Sequence, residues 1–112
     1  MPKRVINSVA EIFGALSNPI RLQIIILLSE GEKDVKEIHE RLGLSSSNVS
    51  QHLAILRTHH LVELSKEGTH VFYKLHTKKV IDVIRKALVL FELELSEAEA
   101  IREVIDKVGV QF

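Results

Sequence analysis

Apolar residues recur three and four positions apart through the first sixteen residues. Val5, Val9, Ile12, Phe13 and Leu16 fall on one stripe, which predicts a helix from about Lys3 to Leu16. A second helix is expected to open at Asn18, a good N-cap, with Pro19 in the first helical position. Ile20, Ile24, Leu27 and Leu28 make its inner face, and Ile25 and Ile26 widen the stripe, so this helix should be buried on most sides. Gly31 is its expected stop. Asp34 and Glu37 have the spacing of a capping box at the start of a third helix, whose Val35, Ile38 and Leu42 face inward and which ends at Gly43. Ser45 then caps a fourth helix reaching about His59. On it Val49, Leu53 and Leu56 point one way, and Ser47, Ser50, Gln51, Ala54 and Thr58 the other.

After His59 the period changes to two. Val62 and Leu64 alternate with Glu63 and Ser65; Val71, Tyr73 and Leu75 alternate with His70, Phe72 and Lys74. With Lys66-Glu67-Gly68-Thr69 as the turn between them, the pattern predicts a β-hairpin. A long fifth helix is expected from Thr77 or Lys78 to about Leu95, then a short one opened by Ser96 with Glu99 and closed before Gly109. Two short helices joined by a glycine-containing turn, then a hairpin, is the layout of a winged helix-turn-helix. The fold class is thus mainly α with a β-hairpin wing (α+β), in a single domain over 1–112. The recognition helix occupies about 45–59, the wing about 62–75 and the C-terminal helices about 77–108. No repeat, low-complexity tract or linker interrupts it.

A chain of 112 residues suffices for one domain, and its hydrophobic share of 46% belongs to a globular protein. The longest apolar runs, Ile24 to Leu28 and Ala87 to Phe91, fall far short of a bilayer span. The N-terminus lacks the apolar core of a signal peptide. The expectation is a cytoplasmic protein with no membrane partner. The absence of cysteine excludes disulfides, thiolate metal sites and thiol-based redox sensing. A formal net charge of zero argues against nucleic acid, but the distribution argues for it. From Gly43 to Val62 there is no Asp or Glu, whereas His52, Arg57, His59 and His60 lie there; Glu92, Glu94, Glu97 and Glu99 crowd the C-terminal part.

The fourth helix carries the chemistry of a groove reader. Its outward residues are small, polar and free of carboxylates, so the helix backbone can sink into a major groove only slightly wider than a helix. Ser46, Ser47, Asn48, Ser50 and Gln51 are the candidates to approach base edges, with Gln51 or Asn48 able to pair adenine in bidentate fashion. Arg57, on the flank, suits a backbone phosphate. Lys66 and His70, with Gly68-Thr69 at the tip, suit a phosphate or the minor groove. The bland alternatives stay open: an ordinary solvated helix face, and a plain edge hairpin, which the acidic tip residue Glu67 favours. His52 falls beside Val49 and Leu56, off the polar face, and reads as a structural histidine.

Three runs together resemble the ArsR/SmtB family of transcriptional repressors. They are Phe13-Gly14-Ala15-Leu16-Ser17-Asn18-Pro19-Ile20-Arg21-Leu22-Gln23-Ile24, the stretch from Leu42-Gly43-Leu44 through Gln51-His52-Leu53 to Arg57, and Lys66-Glu67-Gly68 through Val71-Phe72-Tyr73-Lys74-Leu75. The resemblance covers roughly Val5 to Leu90. It implies a homodimer, paired through the first and fifth helices, on a palindromic double-stranded operator. The fifth helix agrees, being apolar around most of its girth: Val80, Ile81, Val83, Ile84, Ala87, Leu88, Leu90 and Phe91. Burial of that helix within one protomer is the alternative.

The departures from the family pattern concern sensing. Where many members place a cysteine pair on the third helix, this chain has Asp34 and Lys36; where others bind zinc across the fifth helices, it has Thr77, Lys79, Leu90 and Leu93. No metal site and no cofactor are therefore expected. Thr69 stands where the family often has Arg after the wing glycine. A metal-responsive repressor with an unorthodox site drawn from His39, His59, His60, His70 and His76 and carboxylates is one alternative. A winged-helix protein-interaction module is another, and neutral net charge is its best argument. An enzyme is not expected: there is no phosphate-cradling glycine loop, and Ser50 and His52, two apart on a helix, do not face each other.

Overall fold

The computed structural model describes residues 2–94. The elements run α1 (Lys3–Leu16), α2 (Pro19–Leu28), α3 (Val35–Leu42), α4 (Ser46–Thr58), β1 (Val62–Glu67), β2 (His70–Leu75) and α5 (Lys79–Glu94). The short helix expected from Ser96 lies outside the described residues. The chain divides into two compact units, Met1–Thr77 and a second from Lys78 onward. The first holds the helix-turn-helix and the hairpin.

The helix starts are set by side-chain caps. Asn18 Oδ1 accepts from the N–H groups of Ile20 (2.9 Å) and Arg21 (3.2 Å), and Pro19 follows in the first turn. Asp34 Oδ1 accepts from Glu37 N at 2.8 Å, and Ser45 Oγ from Asn48 N at 3.1 Å. Each satisfies an amide that the helix itself leaves unpaired. α2 stops at Leu28 rather than running to Gly31. Ser29 caps it by returning its N–H to Ile25 and Ile26, and Gly31 (φ +133°) lies in the following turn. The helices α1 and α2 meet at 89° across Ser17-Asn18.

The core of this unit is drawn from four helices and the first strand. Ile24, Ile25, Ile38, Val49, Leu53 and Leu56 have no exposed surface, and Leu28 and Val62 almost none. Each such side chain is worth about 1.5–3 kcal/mol of apolar burial. α4 packs against α1, α2, α3 and β1, so its inner face is held from several directions. By contrast α1 leaves most of its stripe uncovered: Val5, Ile6, Val9, Ile12 and Phe13 are 40–57% exposed.

The hairpin is antiparallel, with Val62 opposite Leu75, Leu64 opposite Tyr73, Lys66 opposite Val71 and Glu67 opposite His70. Its first strand continues farther than the alternating pattern predicts, and the second has the expected span. Lys66 and Glu67 are strand residues, and the turn is Gly68-Thr69 alone. Gly68 supplies the positive φ (+62°) that the first central position of a two-residue turn of this hand requires. A third backbone segment adds to the outer edge of β2: Lys33 N donates to Tyr73 O (3.0 Å) and Tyr73 N to Lys33 O (2.8 Å). That bridge fixes the hairpin to the start of α3. In the second unit, α5 buries Val80, Ile81 and Ile84 and exposes Val83, Leu90 and Phe91.

Candidate nucleic-acid interface

The inner and outer faces of α4 are sharply different. Val49, Leu53 and Leu56 are fully buried, while Ser46, Ser47, Ser50, Gln51, Ala54 and Thr58 are exposed. Ser47, Gln51, Ala54 and Thr58 recur at steps of three and four and make one ridge. Asn48 lies on the flank, half-buried, which leaves Gln51 the better placed long amide on the ridge. Ile55, next to Gln51 on the solvent side, is 39% exposed. Sequence reading placed it on neither face of the helix. On the ridge it offers an apolar surface of the kind that contacts a thymine methyl.

His52 is held off the ridge. Its Nδ1 lies 3.3 Å from Arg21 Nη1, and Arg21 Nε donates to the Ala15 carbonyl. Arg21 thus ties the end of α1 to the middle of α4. Burial, with the Arg21 charge beside it, keeps the His52 imidazole below its ordinary pKa and so in its neutral, accepting form. This matches the structural role read from its position in the helix.

The end of α4 has an unusual residue. Leu61 N donates to Leu56 O (2.9 Å) and His60 N to Arg57 O (3.0 Å), the paired bonds of a Schellman close. That close puts one residue in the left-handed region. At the end of α3 the residue is Gly43 (φ +69°); at the end of α4 it is His60 (φ +58°). A side chain there costs about 1 kcal/mol relative to glycine. His60 is exposed, so packing does not explain it.

The structure separates the two wing residues that sequence reading paired. Side chains alternate along a strand, so Leu64, Lys66, Val71 and Tyr73 share one face, and Ser65, Glu67, His70 and Phe72 the other. Lys66 is exposed and has no carboxylate partner among the described residues. His70 is engaged: its Nε2 lies 2.7 Å from Asp34 Oδ2, and its ring stacks on Phe72 at 4.4 Å. Asp34 is held below the ordinary carboxylate range by the Glu37 amide and then by His70. Thr69, in the turn, is exposed.

Two groups of ion pairs lie on this unit. Glu30 contacts Lys33 (3.4 Å) and Arg41 (3.2 Å), and Glu37 contacts the same two cations at 3.5 Å. Glu63 lies 2.9 Å from His76 Nδ1 and 3.5 Å from Lys74 Nζ, and these contacts, His76 first, lower its pKa. Arg57 has no carboxylate partner among the described residues.

A family model described as "Bacterial regulatory protein, arsR family" matches residues 18–67, the segment from the cap of α2 to the end of β1. The biofilm growth-associated repressor of Xylella fastidiosa is 33% identical over 91 residues, covering 81% of this chain and 79% of that protein. The chain belongs to the ArsR family. The transcriptional activator HlyU of Vibrio cholerae is 47% identical over 66 residues, 59% of this chain and 61% of that one. Among solved structures, a homodimeric winged helix-turn-helix DNA-binding domain from Mycobacterium bovis superposes with a TM-score of 0.73 at 30% identity, covering 82% of this chain and 88% of that domain. The protein is thus a winged helix-turn-helix transcriptional regulator.

Asp34 is committed to capping α3, and Lys36 is exposed. Among the described residues no three His, Asp or Glu side chains converge closely enough to hold a metal ion. No single described helix is long and apolar enough to cross a membrane.

Proposed function

We propose that two copies of this chain bind a two-fold-symmetric site in double-stranded DNA, each laying α4 in a major groove, and that the bound dimer represses transcription. The carrying observation is the two-faced α4: an inner face with no exposure and an outer ridge with no carboxylate from Gly43 to Val62. Ser46, Ser47, Ser50 and Gln51 approach base edges, with Asn48 at the flank. Arg57 and Lys66 hold phosphates, Thr69 lies over the backbone at the tip, and His70 reaches phosphate only by leaving Asp34. Pairing in a dimer is supported by the uncovered stripe on α1 and by the homodimeric relative. No metal, thiol or other cofactor enters this reading, nor does a catalytic step. The protein acts in the cytoplasm, where its operator lies.

The test is selection from a random duplex library, followed by titration at several salt concentrations. The expected result is an enriched dyad-symmetric site whose affinity falls steeply with salt, in proportion to the phosphates contacted. No duplex binding, or binding indifferent to salt, overturns the proposal and favours a protein-interaction module. Zinc or nickel that releases the selected site would instead assign a metal-responsive repressor. HlyU, an activator by name, favours a second reading in which the bound dimer activates. A promoter–reporter carrying the selected site separates the two by the sign of its response.

A further inference from the structure

A cleft of ≈ 380 Å³ opens between the C-terminal end of α4 and the hairpin, lined by Ala54, Arg57, Thr58, His60 and Tyr73. A second, of ≈ 470 Å³, is lined by Arg57, His60, Val62, Glu63, Leu64 and His76. Arg57 and His60 are the wall that the two share. Ala54 and Thr58 also belong to the exposed ridge of α4, so the first cleft continues the face assigned to DNA. Tyr73 and Lys66 lie on the same face of the hairpin, with Lys66 nearer the tip.

We propose that this cleft is a clamp for a phosphodiester of the DNA backbone, in which the Arg57 guanidinium, a His60 ring N–H and the Tyr73 hydroxyl converge on the phosphate oxygens. The inference rests on the DNA-binding reading above and adds His60 and Tyr73 to it. Three observations carry it. Arg57, His60 and the Tyr73 phenol have no side-chain partner among the described residues, although three unengaged polar groups line one concave surface. No carboxylate lines this cleft, and Glu63, which lines the adjoining one, is turned to His76 and Lys74. His60 occupies the left-handed place that a glycine would fill without strain, and its ring gains nothing from the protein's own packing. The exposed imidazole at that strained position is thus free to meet a ligand outside the fold.

His60→Gly gives the separating test, because it keeps the backbone conformation while removing the ring. The variant should melt no lower than wild type, yet bind a mixed-sequence 30-base-pair duplex about tenfold more weakly. Tyr73→Phe should weaken binding to a similar extent with the salt slope unchanged, since a phenol releases no counterion. Arg57→Gln should lower the slope of log affinity against log salt by about 0.9 per protomer. Sodium phosphate at the ionic strength of sodium chloride forms the remaining arm. Millimolar release of DNA by phosphate alone, lost in His60→Gly, would reassign the cleft to a free phosphorylated compound and overturn the backbone clamp. Variants that bind within twofold of wild type overturn the clamp and leave the DNA-binding reading intact. A wild-type protein that binds no duplex overturns that reading and the clamp together.

Discussion

Asp34 performs two tasks with two oxygens, and substitution can take them apart. Oδ1 caps α3 through the Glu37 amide at 2.8 Å, and Oδ2 holds the wing through His70 at 2.7 Å. Loss of a helix cap costs about 1 kcal/mol. The pair with His70 is more exposed, the imidazole side chain being 58% accessible, so solvent screening limits it to about 0.5 kcal/mol. Asp34→Ala removes both, about 1.5 kcal/mol. Asp34→Ser keeps a capping oxygen but cannot reach the wing, and His70→Ala removes the tether alone; each should cost about 0.5 kcal/mol. With an unfolding entropy of about 2.1 cal/mol/K per residue, Asp34→Ala should lower Tm by about 6 °C and the other two by about 2 °C. Thermal melts at one fixed protomer concentration give these values, since dimerisation makes Tm concentration-dependent. The pH dependence supplies an internal check. The carboxyl pKa of Asp34 is depressed in the fold, so its stabilisation is present above its ordinary value and is lost as pH falls through the depressed one. The gap between wild type and Asp34→Ala should therefore close in acid. If Asp34→Ser melts with Asp34→Ala rather than with His70→Ala, the cap is not the larger contribution and the reasoning fails.

Gln51→Ala should lose about 1–3 kcal/mol at the selected site while leaving affinity for unrelated duplex unchanged; equal loss on both would make Gln51 a backbone contact. Phe13→Glu, on the exposed stripe of α1, should shift sedimentation at micromolar concentration from dimer toward monomer without loss of helical circular dichroism. An unchanged dimer removes α1 from the interface. The His52 imidazole pKa is lowered by burial and then by Arg21, so the neutral ring stabilises the fold above the ordinary histidine value and that contribution is lost as pH falls through the depressed one. His52→Gln should accordingly flatten the decline of Tm between about pH 7 and pH 5; a parallel decline in both proteins would rule this out.

Local chemistry made much of the fold legible. The N-caps at Asn18, Asp34 and Ser45 are visible as residue types because an N-cap is a local hydrogen bond, made within three residues of the cap itself. The change of period at Val62 likewise announces a strand. What the pattern could not convey is whatever depends on residues far apart in the chain. The Lys33–Tyr73 bridge, the Asp34–His70 contact and the Arg21–His52 contact join positions 31 to 40 residues apart, and none leaves a periodic trace. The site was legible to the same extent. The ridge from Ser47 to Thr58 follows from helical spacing alone, but the separation of Lys66 from His70 depends on strand register. Register here was set by a two-residue turn where the pattern suggested four. His60 was legible only as a possible metal ligand or as one of the basic residues of the acid-free stretch from Gly43 to Val62. That it stands in the left-handed place of a Schellman close required the backbone angle.

The neutral net charge was the strongest sequence argument against DNA, and the structure changes its weight. Charges neutralise one another only where they meet. Glu30 and Glu37 are engaged by Lys33 and Arg41, and Glu63 by His76 and Lys74, on surfaces other than the α4 ridge. Each pair contributes little to the field a few ångströms away, because its members screen one another. Among the described residues Arg57 and Lys66 are left without a carboxylate partner beside a ridge that carries no carboxylate, while Asp34 faces His70 on the far side of the hairpin and the unpaired Glu67 shares that far face. The potential that an approaching phosphate meets is set by those cations and by the amides at the start of α4, not by the sum over the chain. A change of charge therefore has a position-dependent effect: Thr58→Glu on the ridge should weaken duplex binding severalfold at low salt, whereas Lys36→Glu on α3, with twice the change in net charge, should leave it nearly unaltered. Equal effects from the two would mean that net charge governs binding after all.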